Sequence, residues 1–199
     1  MIYSLYAPEV LTTTVQLPAS KSLSKRALIL HALTGGKGEL VNLADCDDTS
    51  AMIQALRSTD DQIDIGAAGT AMRFLTAYFS LLPGERVLTG SERMKQRPIA
   101  PLVEALRTLG ADIQYTGTPG FPPLRIRGSR LKGGEVTLDG GISSQYLSAL
   151  LMIGPCLEEG LVLHIQGTLI SRPYVEMTLK MMSCFGVHAT WQAGDLHIP

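Results

Sequence analysis

The sequence points to an α+β domain with pseudo-threefold symmetry, built from βαβαββ repeats around buried helices. Three observations lead there. One order of events occurs three times: a small polar cluster, a short apolar helix, a Gly-containing turn, a β-like run, a polar loop and a second helix. The first helix of each copy, at Ala27–Leu33, Ala71–Leu82 and Tyr146–Ile153, is nearly apolar all round, the pattern of a buried helix. Each of these helices follows small hydroxyl or glycine residues: Ser20-Lys21-Ser22, Gly69-Thr70 and Ser143-Ser144-Gln145.

The first copy opens at Pro18–Ser22 and runs as helix to Leu33. It turns at Gly35-Gly36, extends through Glu39–Leu43, and passes Asp45–Asp48 into a helix over Ser50–Arg57. The second opens at Gly66–Thr70, turns at Pro83-Gly84 and has its strand at Arg86–Thr89. The loop Gly90–Gln96 leads to a helix from Pro98 to Leu109, closed by Gly110. The third opens at Gly141–Ser144, ends its helix near Pro155 and has its strand at Leu161–Gln166. Its loop Gly167–Arg172 leads to a helix over Pro173–Phe185, closed by Gly186.

Pro98 and Pro173 suit the first turn of a helix, and Gly110 and Gly186 suit the left-handed position after one. Ser22, Thr70 and Ser144 stand where a side-chain oxygen caps free N–H groups. The spacing of copies is uneven, with the excess in Ala111–Gly140, read as strands Asp112–Tyr115, Leu124–Arg127 and Glu135–Leu138. These strands give the second copy its βαβαββ shape. The first copy lacks most of that hairpin, since Arg57 is soon followed by Gly66. The third begins one with Val187–Trp191 and Leu196–Ile198. Leu196–Pro199 is still strand-like, so the chain is expected to stop at or just before a domain boundary.

Composition sets the outer limits. The 199 residues carry 17 Lys+Arg against 18 Asp+Glu, a net charge of −1, which argues against a polycationic nucleic-acid binder. With 45% hydrophobic and 18% charged residues the chain is too apolar to be disordered. No apolar run approaches the ~20 residues of a membrane span. MIYSLYAPEV lacks the basic and apolar regions of a leader peptide, so a cytoplasmic protein is expected. Cys46, Cys156 and Cys184 form no metal-binding pattern and read as buried, reduced thiols. No P-loop or dinucleotide fingerprint is present, and the four histidines fall in no catalytic motif. The carboxylates of Asp45, Asp47 and Asp48 read as a helix-capping acidic loop rather than an ion site.

Helix N-termini present free N–H groups and partial positive charge, so they attract anions. In a threefold bundle three such ends point one way, and the loops before the second helices reach the same rim. That rim gathers Lys21, Arg26, Arg73, Arg97 and Arg172 with several hydroxyls, a site for a small substrate with two or three anionic groups. Taken singly, Ser22 and Ser144 are ordinary caps, and Lys21 and Arg97 ordinary surface charges. Arg26 and Arg73 lie within apolar runs, where a guanidinium needs an anionic partner.

At these same residues the sequence resembles the enolpyruvyl transferases, in particular the 5-enolpyruvylshikimate-3-phosphate (EPSP) synthase family. The matching stretches are PASKSLSKRALIL (18–30), GAAGTAMR (66–73), GSERMKQRPIAPLVEALRTLG (90–110), SSQYLSALLMIGP (143–155) and LISRPY (169–174), in family order over most of the chain. The resemblance implies an inside-out α/β barrel fold and a two-domain enzyme, of which residues 1–199 are the N-terminal substrate-binding domain without its C-terminal partner. The reaction implied moves the enolpyruvyl group of phosphoenolpyruvate to the 5-hydroxyl of shikimate 3-phosphate, releasing phosphate without metal or organic cofactor. It belongs to chorismate and aromatic amino-acid synthesis.

The resemblance also implies residue roles. Lys21 would touch both substrates, and Ser22 and Arg26 would hold the shikimate carboxylate end. Ser143, Ser144 and Ser171 would bind its phosphate, with Gln145 against the ring. Gly69 and Arg97 would bind phosphoenolpyruvate, and Lys21 and Arg97 would act on the chemistry as fixed cations. Thr70, Arg73, Arg172 and Tyr174 would support the site. The chain departs from the family at Ala67 (usually Asn), Phe74 (usually Pro) and Arg172 (usually Lys), and in the short connection after Arg57. Because the family's acid/base carboxylates lie in the other domain, the chain is expected to fold alone, bind shikimate 3-phosphate weakly and not turn over. Two other readings are a UDP-N-acetylglucosamine enolpyruvyl transferase-like domain and a non-catalytic anion-binding domain.

Overall fold

The computed structural model describes residues 3–4 and 6–199. The reading of the N-terminus as leader-free rests partly on Met1, Ile2 and Leu5, which lie outside the described residues. From Tyr6 to Pro18 the chain is exposed and in neither helix nor strand.

Six α-helices and eight strands follow among the described residues: α1 (Lys21–Leu33), α2 (Asp47–Arg57), β1 (Gln62–Asp64), α3 (Gly69–Leu81), β2 (Gly84–Thr89), α4 (Ala100–Thr108), β3 (Asp112–Tyr115), β4 (Leu124–Gly128), β5 (Gly134–Asp139), α5 (Ser144–Ile153), β6 (Leu161–Gln166), α6 (Arg172–Cys184), β7 (Thr190–Gln192) and β8 (Asp195–Ile198). Two sheets form, ordered β1-β2-β4-β3 and β5-β6-β8-β7. In each, the first pair is parallel and the other two are antiparallel. Residues 62–128 and 134–198 are therefore two complete βαβαββ units with one topology. Both close the turn from first strand to inner helix alike: Asp64 Oδ1 accepts from Gly66 N at 2.7 Å, and Asp139 Oδ1 from Gly141 N at 2.6 Å.

The inner helices α1, α3 and α5 touch one another, which builds the expected bundle. Each outer helix also reaches the next inner one: α2 packs on α3, α4 on α5, and α6 returns to α1. That closed cycle is the pseudo-threefold. All but two of α3's residues and all but one of α5's are buried, in keeping with their apolar sequences. Helix α1 is only half buried, because no sheet among the described residues covers it.

Several boundaries differ from expectation. The repeat starts one element earlier than the polar clusters suggest, so Gly134–Asp139 opens the last unit rather than closing the middle one. Glu39–Leu43 forms no strand, since among the described residues no partner strand lies beside it. Gln62–Asp64 does form one, parallel to β2, within the short stretch after Arg57. Helix α2 begins at Asp47, whose carboxylate and that of Asp48 suit its positive end. Helix α4 begins after Pro98, and Pro101 takes the first-turn place.

The caps also move. Ser20 and Ser143, not Ser22 and Ser144, accept backbone N–H groups (from Leu23 at 3.4 Å and Gln145 at 3.3 Å), and Thr70 caps nothing, because α3 starts after Ala68 without a side-chain cap. Gly110 and Gly186 do take positive φ, 104° and 82°, at helix ends. The cysteines are not buried: Cys46 is half-exposed at the start of α2, and Cys156 and Cys184 are exposed where helices end. All three are unpaired thiols. Among the described residues, no helix is long and apolar enough to cross a membrane.

Candidate functional site

Two small cavities open where the inner helices begin. The first, about 280 Å³, is lined by Ser22, Arg26, Thr70, Ser144, Gln145 and Tyr174. It draws on α1, α3, α5 and the first turn of α6, so the repeat converges these residues from four places in the sequence. The second, about 400 Å³, is lined by Ala67, Ser91, Arg93, Met94 and Arg97.

Arg26 is 3% exposed, and among the described residues its hydrogen-bond partners include no carboxylate. Its Nε donates to Thr178 Oγ1 at 2.7 Å, Nη1 to the Ser22 carbonyl at 3.0 Å, and Nη2 to Ser148 Oγ at 3.0 Å and the Tyr174 carbonyl at 3.3 Å. The Phe74 ring lies beneath it at 5.5 Å. Burial lowers its pKa to about 10, which leaves it charged at neutral pH. The anionic partner expected for a buried Arg is therefore replaced by four neutral acceptors, and its positive charge stays uncompensated beside the cavity.

Arg73, 4% exposed, is the equivalent cation of the next inner helix. It donates from Nη1 to the Gly69 carbonyl at 3.0 Å and from Nη2 to the Pro98 carbonyl at 2.8 Å. Tyr146 Oη donates to that same carbonyl at 2.7 Å. Arg73 thereby pins the Arg97-Pro98 loop to the start of α3. A further bond from Ser91 N to the Gly66 carbonyl, 3.0 Å, ties the loop to the turn before α3.

The result is close contact between Arg97 and Gly69. A Cβ on Gly69 would overlap the Arg97 guanidinium in this position, so the missing side chain lets the cation lie against the helix start. No side chain caps α3, so first-turn N–H groups and a guanidinium face the same space. Fixed donors of one sign in that arrangement suit a small anion.

Lys21 lies at the rim, half exposed, with Nζ 2.9 Å from Asp48 Oδ2. The same oxygen receives buried Lys25 Nζ at 3.2 Å. The hydrogen bond to Asp48 raises the Lys21 pKa, while burial lowers that of Lys25. Burial works to raise the Asp48 carboxyl, but the two lysines outweigh it and hold it below its ordinary value.

Ser143 caps α5, and Ser171 precedes α6 with no side-chain capping bond. Neither lines the cavity beside them. Arg172 turns away: its guanidinium lies 5.1 Å over the Trp191 ring, and its Nε is 3.2 Å from Glu176 Oε1. It braces α6 against β7 and does not join the other cations. Sequence reasoning missed Ser148, Thr178, Tyr146, Asp48 and Lys25. For Ser148, Thr178 and Tyr146 the available signal was a hydroxyl in an otherwise apolar stretch, which needs a buried partner.

Comparison with known proteins bears on this arrangement. Residues 5–60 and 58–198 match the family model for EPSP synthase (3-phosphoshikimate 1-carboxyvinyltransferase). A curated 3-phosphoshikimate 1-carboxyvinyltransferase of Bacteroides fragilis (strain YCH46) is 59% identical over 191 residues, covering 96% of this chain and 47% of its own length. That of Hamiltonella defensa is 45% identical over 203 residues, covering 89% of this chain and 47% of its own. The chain thus spans about half the length of the curated relatives it matches. A solved EPSP synthase from Acinetobacter baumannii shares the fold with TM-score 0.78 at 24% identity, over 92% of this chain and 46% of that one. The family model covers nearly the whole sequence, and with it every residue that lines the two cavities: the chain belongs to the EPSP synthase family.

Proposed function

We propose that this chain forms the acceptor-binding half of an EPSP synthase, within an enzyme that transfers the enolpyruvyl group of phosphoenolpyruvate to the 5-hydroxyl of shikimate 3-phosphate. The observation that carries the reading is the cavity lined by Ser22, Arg26, Thr70, Ser144, Gln145 and Tyr174. An uncompensated buried cation, hydroxyl groups and one amide suit a small polyol bearing a carboxylate and a phosphate. Arg26 and Ser22 hold the carboxylate end. Ser144 binds the phosphate, with Ser143 and Ser171 beside it at the starts of α5 and α6. Gln145 lies against the ring, with Thr70 and Tyr174 as its walls.

Phosphoenolpyruvate takes the neighbouring space, where Arg97 and the uncapped start of α3 meet. Lys21 reaches from the rim between the two substrates, exchanging Asp48 for their anionic groups. Arg97 and Lys21 serve the chemistry as cations fixed before the charge develops. Arg73 sets the Arg97 loop. The chain is one substrate-binding domain, and its partner in cis is the half of the relatives' length that lies outside these residues. That half supplies the acid/base groups.

The test is calorimetric titration of the chain with shikimate 3-phosphate, for the wild type and the Ser143→Ala/Ser144→Ala variant. Saturable, weak binding that the variant loses is expected, and no phosphate release when phosphoenolpyruvate is added. Absence of binding by the folded wild type sinks the assignment, and phosphate release by the pure chain sinks the half-site reading.

A further inference from the structure

Arg26 is fixed by two hydroxyl side chains that line neither cavity. Thr178 Oγ1 accepts from Arg26 Nε at 2.7 Å, Ser148 Oγ accepts from Nη2 at 3.0 Å, and the two hydroxyl oxygens lie 2.8 Å apart. Thr178 Oγ1 in turn donates to the Tyr174 carbonyl at 2.9 Å, the carbonyl that also receives Arg26 Nη2. Ser148 and Thr178 are fully buried. The closed set joins α1, α5 and α6 at one point in the bundle.

Its geometry is more than core filling. A guanidinium has five N–H donors in a rigid plane. Four are committed here, so the plane cannot rotate about its long stem, and the fifth, on Nη1, is directed by the other four. Val at 178 would match the shape of Thr, and Ala at 148 would remove only the Ser hydroxyl, so what both positions supply beyond volume is an acceptor for Arg26. The repeat sharpens the point. Arg26 and Arg73 each donate to the carbonyl four residues back, that of Ser22 or Gly69. Ser148 holds the corresponding place in α5, four residues after Ser144. There the inner helix presents an acceptor to the cation of α1 instead of a third cation.

We infer that Ser148 and Thr178 are positioning residues, which orient the Arg26 guanidinium toward the ligand carboxylate. This inference rests on the acceptor-site reading above for the identity of the ligand, but not for the state of Arg26. Because Thr178 belongs to the helix whose start carries Ser171 and Tyr174, the carboxylate end of the site is set by the element proposed to hold the phosphate end.

The experiment reads the Arg26 Nε–H resonance in a 15N spectrum, identified by its loss in Arg26→Lys. In the wild type that proton, buried and bonded to Thr178 Oγ1, is expected to be protected from exchange with water. Thr178→Val is expected to speed its exchange at least tenfold and to weaken shikimate 3-phosphate about tenfold, the range for a lost hydrogen bond to a charged group. Thr178→Ser is expected to restore both, which a purely structural role for the methyl group would not allow. Ser148→Ala gives the same result in smaller measure and serves if Thr178→Val does not fold. An unchanged Nε–H and unchanged affinity in a folded Thr178→Val protein overturn the inference. If the wild type binds no shikimate 3-phosphate while the Nε–H responds as expected, the acceptor-site reading fails and the positioning of Arg26 stands.

Discussion

Gly69 illustrates how one missing side chain sets a site. It starts α3 without a positive φ, so any residue fits its backbone, and alanine is no worse a helix former there. An alanine methyl would displace the Arg97 guanidinium lying against it. Gly69→Ala should therefore leave the melting temperature unchanged or slightly raised, while phosphoenolpyruvate or inorganic phosphate binds more than tenfold more weakly. A melt and a titration on the same sample separate the two effects, and unchanged anion binding would remove Arg97 and Gly69 from the site. Asp48 makes the opposite case. Asp48→Asn leaves buried Lys25 without its carboxylate and should lower stability by about 2–3 kcal/mol in urea unfolding, somewhat below a fully buried pair because Asp48 is partly exposed. Lys25→Met should do less harm, since Asp48 keeps Lys21 and the start of α2. Arg26 and Arg73 stood out in the sequence as cations in apolar runs. Their partners did not, because Thr178 lies 152 residues from Arg26 and nothing local marks which hydroxyl will meet it.

Helices and hairpins were legible to different degrees for physical reasons. The long apolar runs of α3 and α5 fixed their position, because a continuous apolar stretch of ten or more residues is too long for a buried strand. β3 and β4 follow from strong turn chemistry between them. β1 was missed because three residues carry too little pattern, and Glu39–Leu43 was expected as a strand because pattern alone does not reveal whether a neighbour exists to bond it. Sheet-level chemistry was also out of reach. On the β5-β6-β8 face, His164 Nδ1 lies 2.8 Å from Asp195 Oδ2 and Nε2 lies 3.2 Å from Glu135 Oε2, so one imidazole clasps three strands. The hydrogen bonds to Asp195 and Glu135 raise its pKa above the ordinary 6.5. The folded state thus binds the proton more tightly than the unfolded chain. The clasp is complete below the unfolded value and is lost as pH rises through the raised one. The melting temperature should fall across that window, and His164→Gln should flatten the fall. Equal pH profiles for both proteins would show that the clasp adds nothing.

The molecule as a whole is two complete units and one incomplete one sharing a single helix cycle. The sequence made the threefold visible because each inner helix follows its own polar cluster, and it set the unit boundaries wrongly because those clusters sit one strand inside the true repeat. Stability should follow the same division. The core runs through α3, α5 and the inner faces of both sheets, where Leu75 and Leu150 are wholly buried. Before α1, by contrast, Val10, Leu11, Val15 and Leu17 are 70–81% exposed although their sequence is rich in strand formers. Burial, not propensity, decides what an apolar residue contributes. Replacing those four by Ser should change the melting temperature by less than about 2 °C, whereas Leu75→Ala alone should cost about 2–5 kcal/mol. The comparison is decisive because the four-residue change removes more apolar surface from the sequence than the single one. A large fall in the Ser variant would mean that this segment packs on the open face of α1 in solution, supplying the strand the first unit lacks. An unchanged melt means that the helix cycle and two sheets are enough to hold the site.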